Sequence, residues 1–287
     1  FKTGQNSYWV GSVDLDIVID DGDDSNSVQL CPSWAMHSTC RVKGDTGIKV
    51  IVDQHQRSVD EQILLSHGDA LRGMQLEDIV AAVTGETLDT RTAQVRRNET
   101  TSGNFIADAL LSYYSRGNMG QTDDIDTMAF INGGFIRGDT RYPVGNDLTL
   151  RDVLEEMPFP RVSCLIEIQG MYLRQAMEQQ LCVCPAASGA FPHVSVNVII
   201  EYDVKLPRLG RIQRFMINGR DVSDETKYRV VVTDFVASGG DGASAWCFGV
   251  QQAIDGRPSQ RISTIVLNYL KECEELNARV EGRLRCV

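Results

Sequence analysis

The chain has 287 residues, 42% of them hydrophobic and 23% charged, and its 28 Lys and Arg against 39 Asp and Glu leave a net charge of -11. This composition is that of a globular chain with one large core or two smaller ones, and it excludes disorder. The acidic balance argues against a surface that tracks a nucleic-acid backbone, and no apolar run approaches the ~20 residues of a membrane-spanning helix.

The sequence opens on Phe1 without a methionine or a signal peptide, which reads as a processed or truncated product. Residues 8–20 alternate apolar and polar as a half-buried strand does, and the acidic segment 21–27 reads as a solvated loop. Cys31 and Cys40 bracket a short excursion that a local bridge could close. Gly47 to Val52 predicts a second strand. Ser58-Val59-Asp60-Glu61 has the form of a capping box, and Leu64, Leu71, Ile79 and Val83 recur at helical spacing, so a connector helix is expected over 58–85, interrupted near Gly68.

Ser102-Gly103-Asn104 opens a helix through Leu111 that ends before Gly117. Met128 to Ile131 is an apolar strand ending on the glycine turn Asn132-Gly133-Gly134-Phe135-Ile136-Arg137. Thr149-Leu150-Arg151-Asp152 caps a further helix, closed by Met157-Pro158. A strand over 162–168, a helix over 171–181 and strands over 194–202 and 211–217 follow. Asn218-Gly219 is a hairpin turn expected to join the last of these to Tyr228–Thr233. A helix over 259–276 completes a mixed α/β order, a mixed sheet flanked by helices.

Eight cysteines (Cys31, Cys40, Cys164, Cys182, Cys184, Cys247, Cys273, Cys286) form no C-x-x-C pair with matching histidines. That favours disulfides and an oxidising compartment over a zinc site, the alternative being buried free thiols. Asn98-Glu99-Thr100 is a glycosylation sequon. His37, His55, His67 and His193 are isolated and read as structural or exposed. Glu155-Glu156 as a hydrolytic acid pair is disfavoured, because adjacent helix residues do not face each other.

A second glycine turn, Ser238-Gly239-Gly240-Asp241-Gly242, also ends a strand, and both turns have an aromatic and a polar group nearby. Each residue has a plainer reading: Phe159 and Phe235 as packing residues, Asp241 as a turn former, Arg96 and Arg137 as surface charges. Together, two rings that could sandwich a base, a carboxylate for ring or sugar donors and arginines for anionic oxygens describe a nucleotide pocket.

The ordered series Gly103-Asn104-Phe105-Ile106-Ala107-Asp108-Ala109, Asn132 to Arg137, Met157-Pro158-Phe159 and Asp234 to Gly242 resembles the C-terminal domain of the 5′-nucleotidase family, over about residues 86–270. Ser188-Gly189-Ala190-Phe191 and Ile217-Asn218-Gly219-Arg220 are further landmarks. By that resemblance Phe159 and Phe235 stack on the base and Asp241 accepts from the ribose hydroxyls. Asn132 contacts the base or the phosphate side, Gly134 lets the backbone approach, and Arg137 with Arg96 holds the ribose or steers the anionic end. Phe135 stands where the family commonly has a third glycine, and Pro160 where a glycine usually follows the stacking ring.

The family hydrolyses nucleoside 5′-monophosphates on a separate N-terminal metallophosphoesterase domain holding two divalent, zinc-like metal ions, whose Asp-x-His and Gly-His-x-His segments do not occur here. The resemblance therefore implies a remnant of that domain at residues 1–57, the connector at 58–85 and the substrate-binding domain at 86–287. It implies no cofactor and no catalytic residue in this chain, a secreted or surface location, small nucleosides and nucleotides as ligands, and allows a homodimer. The alternative is a non-catalytic secreted binding module that kept the fold.

Overall fold

The computed structural model describes residues 9–20, 27–39, 42–115, 125–251, 259–273 and 275–287. The chain divides into two compact units, Phe1–Ile63 and Leu64–Val287.

In the first unit β1 (Trp9–Asp20) pairs antiparallel with β2 (Ser27–Ser38), Trp9 opposite Ser38 and Asp20 opposite Ser27. The alternating stretch is thus a strand. Residues 21–26 and Cys40 lie outside the described residues, and with them the acidic loop and the expected Cys31–Cys40 bridge. The strand expected over Gly47 to Val52 is instead the start of α1 (Thr46–Ser66). Asp45 decides this: its carboxylate accepts from the backbone N–H groups of Gly47 and Ile48 at 2.8 and 2.9 Å, and this cap outweighs the β-branched run. The capping box read at Ser58–Glu61 lies inside that helix, none of whose residues is buried.

The connector helix expected over 58–85 stops at Ser66. Gly68 takes φ +57° and starts a 3-10 turn, Gly68–Leu71, after which β3 (Ile79–Val83) buries Ala81 and Val83. A four-residue spacing such as Ile79 to Val83 fits a helix face and a strand face alike, and here the strand period holds.

Short elements then lead to the centre of the second unit: β4 (Leu88–Asp89), α2 (Thr92–Val95), α3 (Thr101–Ser115), β5 (Thr127–Asn132), β6 (Arg141–Tyr142), β7 (Asp147–Thr149) and α4 (Leu150–Glu156). The expected cap of α4 is present, the Thr149 side chain accepting from the Asp152 backbone and the Asp152 carboxylate from the Thr149 backbone. Next come β8 (Ser163–Gln169), α5 (Gly170–Leu181), β9 (Pro192–Val194), β10 (Val198–Tyr202), β11 (Ile212–Ile217), β12 (Arg220–Asp221), β13 (Lys227–Thr233) and α6 (Asp234–Ala237). After β14 (Val250–Gln251) come α7 (Ile262–Cys273), β15 (Glu275–Leu276) and β16 (Leu284–Cys286).

The fold is mixed α/β. Its central sheet has the order β14-β8-β13-β5-β9, with β13 parallel to β5 and the other pairs antiparallel. Met128–Ile131 and Val230–Val232 are fully buried, as apolar runs in central strands must be. A second sheet has the order β12-β11-β10-β16. The core joins the two, with Phe130, Ile166, Leu173, Met177, Phe215 and Val232 in one cluster and Trp246 tilted against Phe130.

Two expectations need correction here. The stretch 194–202 is two strands in different sheets, because Ser195 and Asn197 divert the backbone: the Ser195 hydroxyl accepts from Ala129 N–H at 2.9 Å and donates to Asn197 Oδ1 at 2.8 Å. The turn at Asn218 and Gly219, with φ +52° and +74°, closes a hairpin onto β12, whereas Tyr228–Thr233 belongs to the central sheet. Two positive φ values in succession are what a tight hairpin turn demands.

The last segment of the chain is strapped across the start of α3. The Glu99 carboxylate accepts from Asn104 Nδ2 and from the backbone N–H groups of Glu281 and Leu284, at 2.7, 2.9 and 3.1 Å. Buried Arg283 grips the Asp108 carboxylate with both terminal nitrogens, at 2.8 and 2.7 Å. Cys164, Cys182, Cys184, Cys247, Cys273 and Cys286 are all thiols, so the disulfide framework is not formed among them. Burial pushes the Cys184 thiol up to about 11, the behaviour of an inert core thiol.

Candidate functional site

β5 and β13 run parallel, so their carboxyl ends, Asn132 and Thr233, open on the same side, where the first residues of β8 also lie. A cleft of about 400 Å³ sits there, and Arg96, Asn132, Gly134, Arg137, Phe159, Phe235 and Asp241 all line it. Residues singled out along 146 positions of sequence are thus brought to one cavity, from Arg96 to Asp241.

The glycine turn is wedged from both sides. Gly133 N–H donates to Phe191 O and Gly134 N–H to Gly189 O, each at 2.8 Å. A Cβ on Gly133 would fall 2.0 Å from the carbonyl oxygen of Val95, so this position requires glycine for close approach, and one on Gly134 would be tight at 3.1 Å from Gly189 Cα. The same Val95 oxygen accepts from His193 Nε2 at 2.9 Å. His193 is fully buried, its Nδ1 has no partner, and burial pushes its pKa down to about 4, so the ring is neutral with the proton on Nε2. This carbonyl immediately precedes Arg96, which is half-buried with its Nε unpartnered.

Asp241 faces the turn. It holds φ +57° between Gly239 and Gly242, at +82° and +78°, and accepts from Asn132 Nδ2 at 2.7 Å. Asn132 Nδ2 also reaches Gly189 O at 3.2 Å, fixing the amide so that the exposed carboxylate keeps acceptor capacity toward the cleft.

The two rings come from separate segments of the chain. Phe235 lies on α6, whose start is capped by the Thr233 hydroxyl accepting from Val236 N–H at 3.0 Å. Gly240 backs the ring so closely that a Cβ there would fall 2.4 Å from it. Phe159 packs against Phe135, centroids 6.4 Å apart. Phe135, which stands where the family commonly has a glycine, is buried in the wall and packs beneath the Phe159 ring. The Arg137 guanidinium lies 5.0 Å from the centre of the Phe159 ring, and that of Arg161 lies 5.1 Å from the centre of Phe235.

The loop bearing Arg137 hangs on Glu156. Arg137 N–H donates to Glu156 O at 3.0 Å, Gly138 N–H to Oε2 at 2.9 Å, and the Tyr142 hydroxyl to Oε1 at 3.0 Å. Glu156 is buried, and burial raises its pKa against these hydrogen bonds. It is a structural anchor. Exposed Glu155 shares no site with it.

Arg161, Gly189 and Thr233 also line the cleft and were not singled out from sequence. Pro160 holds the first of them, in a three-residue turn where Arg161 N–H donates to Phe159 O at 2.7 Å. Gly189 stood inside the Ser188–Phe191 landmark, but its contact with Gly134 is visible only in three dimensions. Among the described residues no three His, Cys, Asp or Glu side chains cluster as a metal ion would need. Nor is any of their helices long and apolar enough to cross a membrane.

A cleft of this size at the carboxyl ends of sheet strands, walled by aromatic rings and arginines with one carboxylate, defines a binding domain for a planar, polar small molecule. The family model described as 5′-nucleotidase, C-terminal domain, matches residues 79–247, more than half of the chain, and the chain belongs to that family. It is 32% identical over 221 residues to the trifunctional nucleotide phosphoesterase YfkN of Bacillus subtilis, covering 74% of this chain and 14% of that protein. With the snake venom 5′-nucleotidase of Macrovipera lebetinus it shares 25% identity over 246 residues, 78% of this chain and 57% of that one. The solved structure of the 5′-nucleotidase precursor from Thermus thermophilus has the same fold, with a TM-score of 0.72 at 23% identity, over 98% of this chain and 50% of that chain. The chain spans only part of the length of the curated relatives it matches.

Proposed function

We propose that the second unit is the nucleoside-holding domain of a 5′-nucleotidase, a phosphoric monoester hydrolase that releases nucleoside and phosphate from nucleoside 5′-monophosphates. The observation that carries this is the convergence of Phe159, Phe235, Asn132 and Asp241, from four separate segments, on one cleft. In this reading the rings take the base between them, the Asp241 carboxylate accepts from the ribose hydroxyls, and Asn132 holds that carboxylate in place while facing the base. Arg96 and Arg137 draw the anionic end. Neither has a carboxylate within ion-pair range among the described residues, so their charge is available to a phosphate.

The hydrolytic step, with its two divalent metal ions, belongs in this proposal to an adjoining metallophosphoesterase domain, of which residues 1–57 are the closing part. The venom relatives support a location outside the cell. Isothermal titration of the chain with adenosine and AMP tests the binding half: saturable heat is expected, and stronger for AMP. Phe235→Ala should weaken binding by roughly 1–3 kcal/mol when measured well below the variant's melting temperature, which itself falls because the ring also packs against the core. Absence of binding to any nucleoside or nucleotide at millimolar concentration would sink the proposal.

A further inference from the structure

Neither face of the Phe235 ring is free. A Cβ on Gly240 would lie almost equally close to three successive ring carbons, Cδ1, Cε1 and Cζ, which places the Gly240 backbone over one face and leaves no room there for a second planar group. Over the other face lies the Arg161 guanidinium, its carbon 5.1 Å from the ring centre. Arg161 and Phe235 both line the cleft, so this covered face is the one a ligand would meet.

The cation is lightly held. Arg161 is partly exposed, and its ion pair with Asp234 is long, Nη1 to Oδ2 at 3.6 Å. The other oxygen of that carboxylate, Oδ1, has no hydrogen-bond partner, so Asp234 has acceptor capacity to spare for a guanidinium that leaves the ring. An exposed cation–π contact favours the stacked position by a factor of only about two to five, and an exposed ion pair adds little. A base stacked on the same face gains a factor of about five or more, so the base wins the contest. Arg137, over Phe159, has no such counter-ion among the described residues and is left to the anionic end of a ligand.

We propose that Arg161 is a displaceable occupant of the base site: it covers the stacking face of Phe235 while the cleft is empty, and a base binds by pushing it aside onto Asp234. The inference rests on the nucleoside-binding reading above and adds to that site a residue that works against the ligand. Every base must displace the same group, so Arg161 lowers affinity without choosing among bases.

Isothermal titration of the full chain with adenosine tests it, because the affinity of a neutral ligand does not register the loss of a positive charge as such. Arg161→Ala removes the occupant but keeps the backbone bonds of residue 161, its N–H to Phe159 O and its carbonyl from Ile262 N–H, so the variant should fold as the wild type does. Its affinity for adenosine should rise about two- to fivefold, and that for inosine by the same factor. Phe235→Leu keeps an apolar side chain against the core but offers no ring face, and Arg161→Ala made in that background should bring no gain. An affinity that falls or stays the same in Arg161→Ala, or a gain that persists beside Phe235→Leu, would each overturn the proposal. If neither the wild type nor Arg161→Ala binds any nucleoside, the functional reading falls and this inference with it; wild-type binding without a gain in the variant removes this inference alone.

Discussion

Replacing His193 with Gln should flatten the pH dependence of stability below about pH 6.5. His193 is neutral in the fold because burial pushes its pKa down to about 4, an effect that its hydrogen bond to the Val95 carbonyl and nearby Glu99 oppose and Arg283 reinforces. In the unfolded chain the ring titrates near the ordinary value of about 6.5, so below that pH the unfolded state takes up the proton first and stability falls. The loss is absent above pH 6.5, reaches about 2 kcal/mol at pH 5 and about 3 kcal/mol at pH 4, where the folded form also titrates. Urea unfolding at a series of pH values from 7.5 to 4 measures it. Gln can still donate to Val95 but does not ionise, so the wild type should lose that much more than His193→Gln over the same interval. Parallel stability curves for the two proteins would refute the argument. Because the Val95 carbonyl immediately precedes Arg96, protonation of the folded form near pH 4 should also loosen the cationic wall, and nucleotide affinity should fall only there.

Gly133→Ala should destabilise the domain by about 1–3 kcal/mol in chemical unfolding, since its Cβ would meet a backbone carbonyl that cannot swing aside. Asp241→Asn preserves the left-handed turn and the bond from Asn132, so the melting temperature should hold. Nucleoside affinity should drop by roughly 1.5–3 kcal/mol, and 2′,3′-dideoxynucleosides should show little change on titration. Glu156→Leu leaves the Gly138 N–H and the Tyr142 hydroxyl without their acceptor and should cost about 1–3 kcal/mol for each group in thermal or urea unfolding. Glu156→Gln, which can still accept one of them, should recover part of that loss.

Much of this was legible in the residues because the deciding interactions are local. The Thr149–Asp152 cap, the paired left-handed residues Asn218 and Gly219, and the apolar runs ending in glycine turns each carry their own physical signature. The errors arose where one local pattern fits two periods or a single side chain tips the balance. Ile79 and Val83 satisfy strand and helix spacing alike, and Asp45 converts a β-branched run into a helix. At the cleft, the rings, the acid and Arg137 stand in recognisable motifs. Arg161 does not, since its meaning comes from Phe235, which is 74 positions away. The seat of His193 against Val95 is equally hidden, because a buried imidazole and a surface one look the same in a sequence.

The strap across the start of α3 bears on the order in which the molecule is made. Glu99, three residues from Arg96, is bonded to the backbone of Leu284 across 185 positions, and Asn104 to Arg279 across 175. Such long-range closures come late in folding. As the chain leaves a ribosome, the central strands can pair while the Arg96 wall still waits for residues 279–284 to emerge. Competence to hold a ligand should therefore lag behind the appearance of secondary structure, and a refolding time course followed by nucleoside binding should trail one followed by circular dichroism.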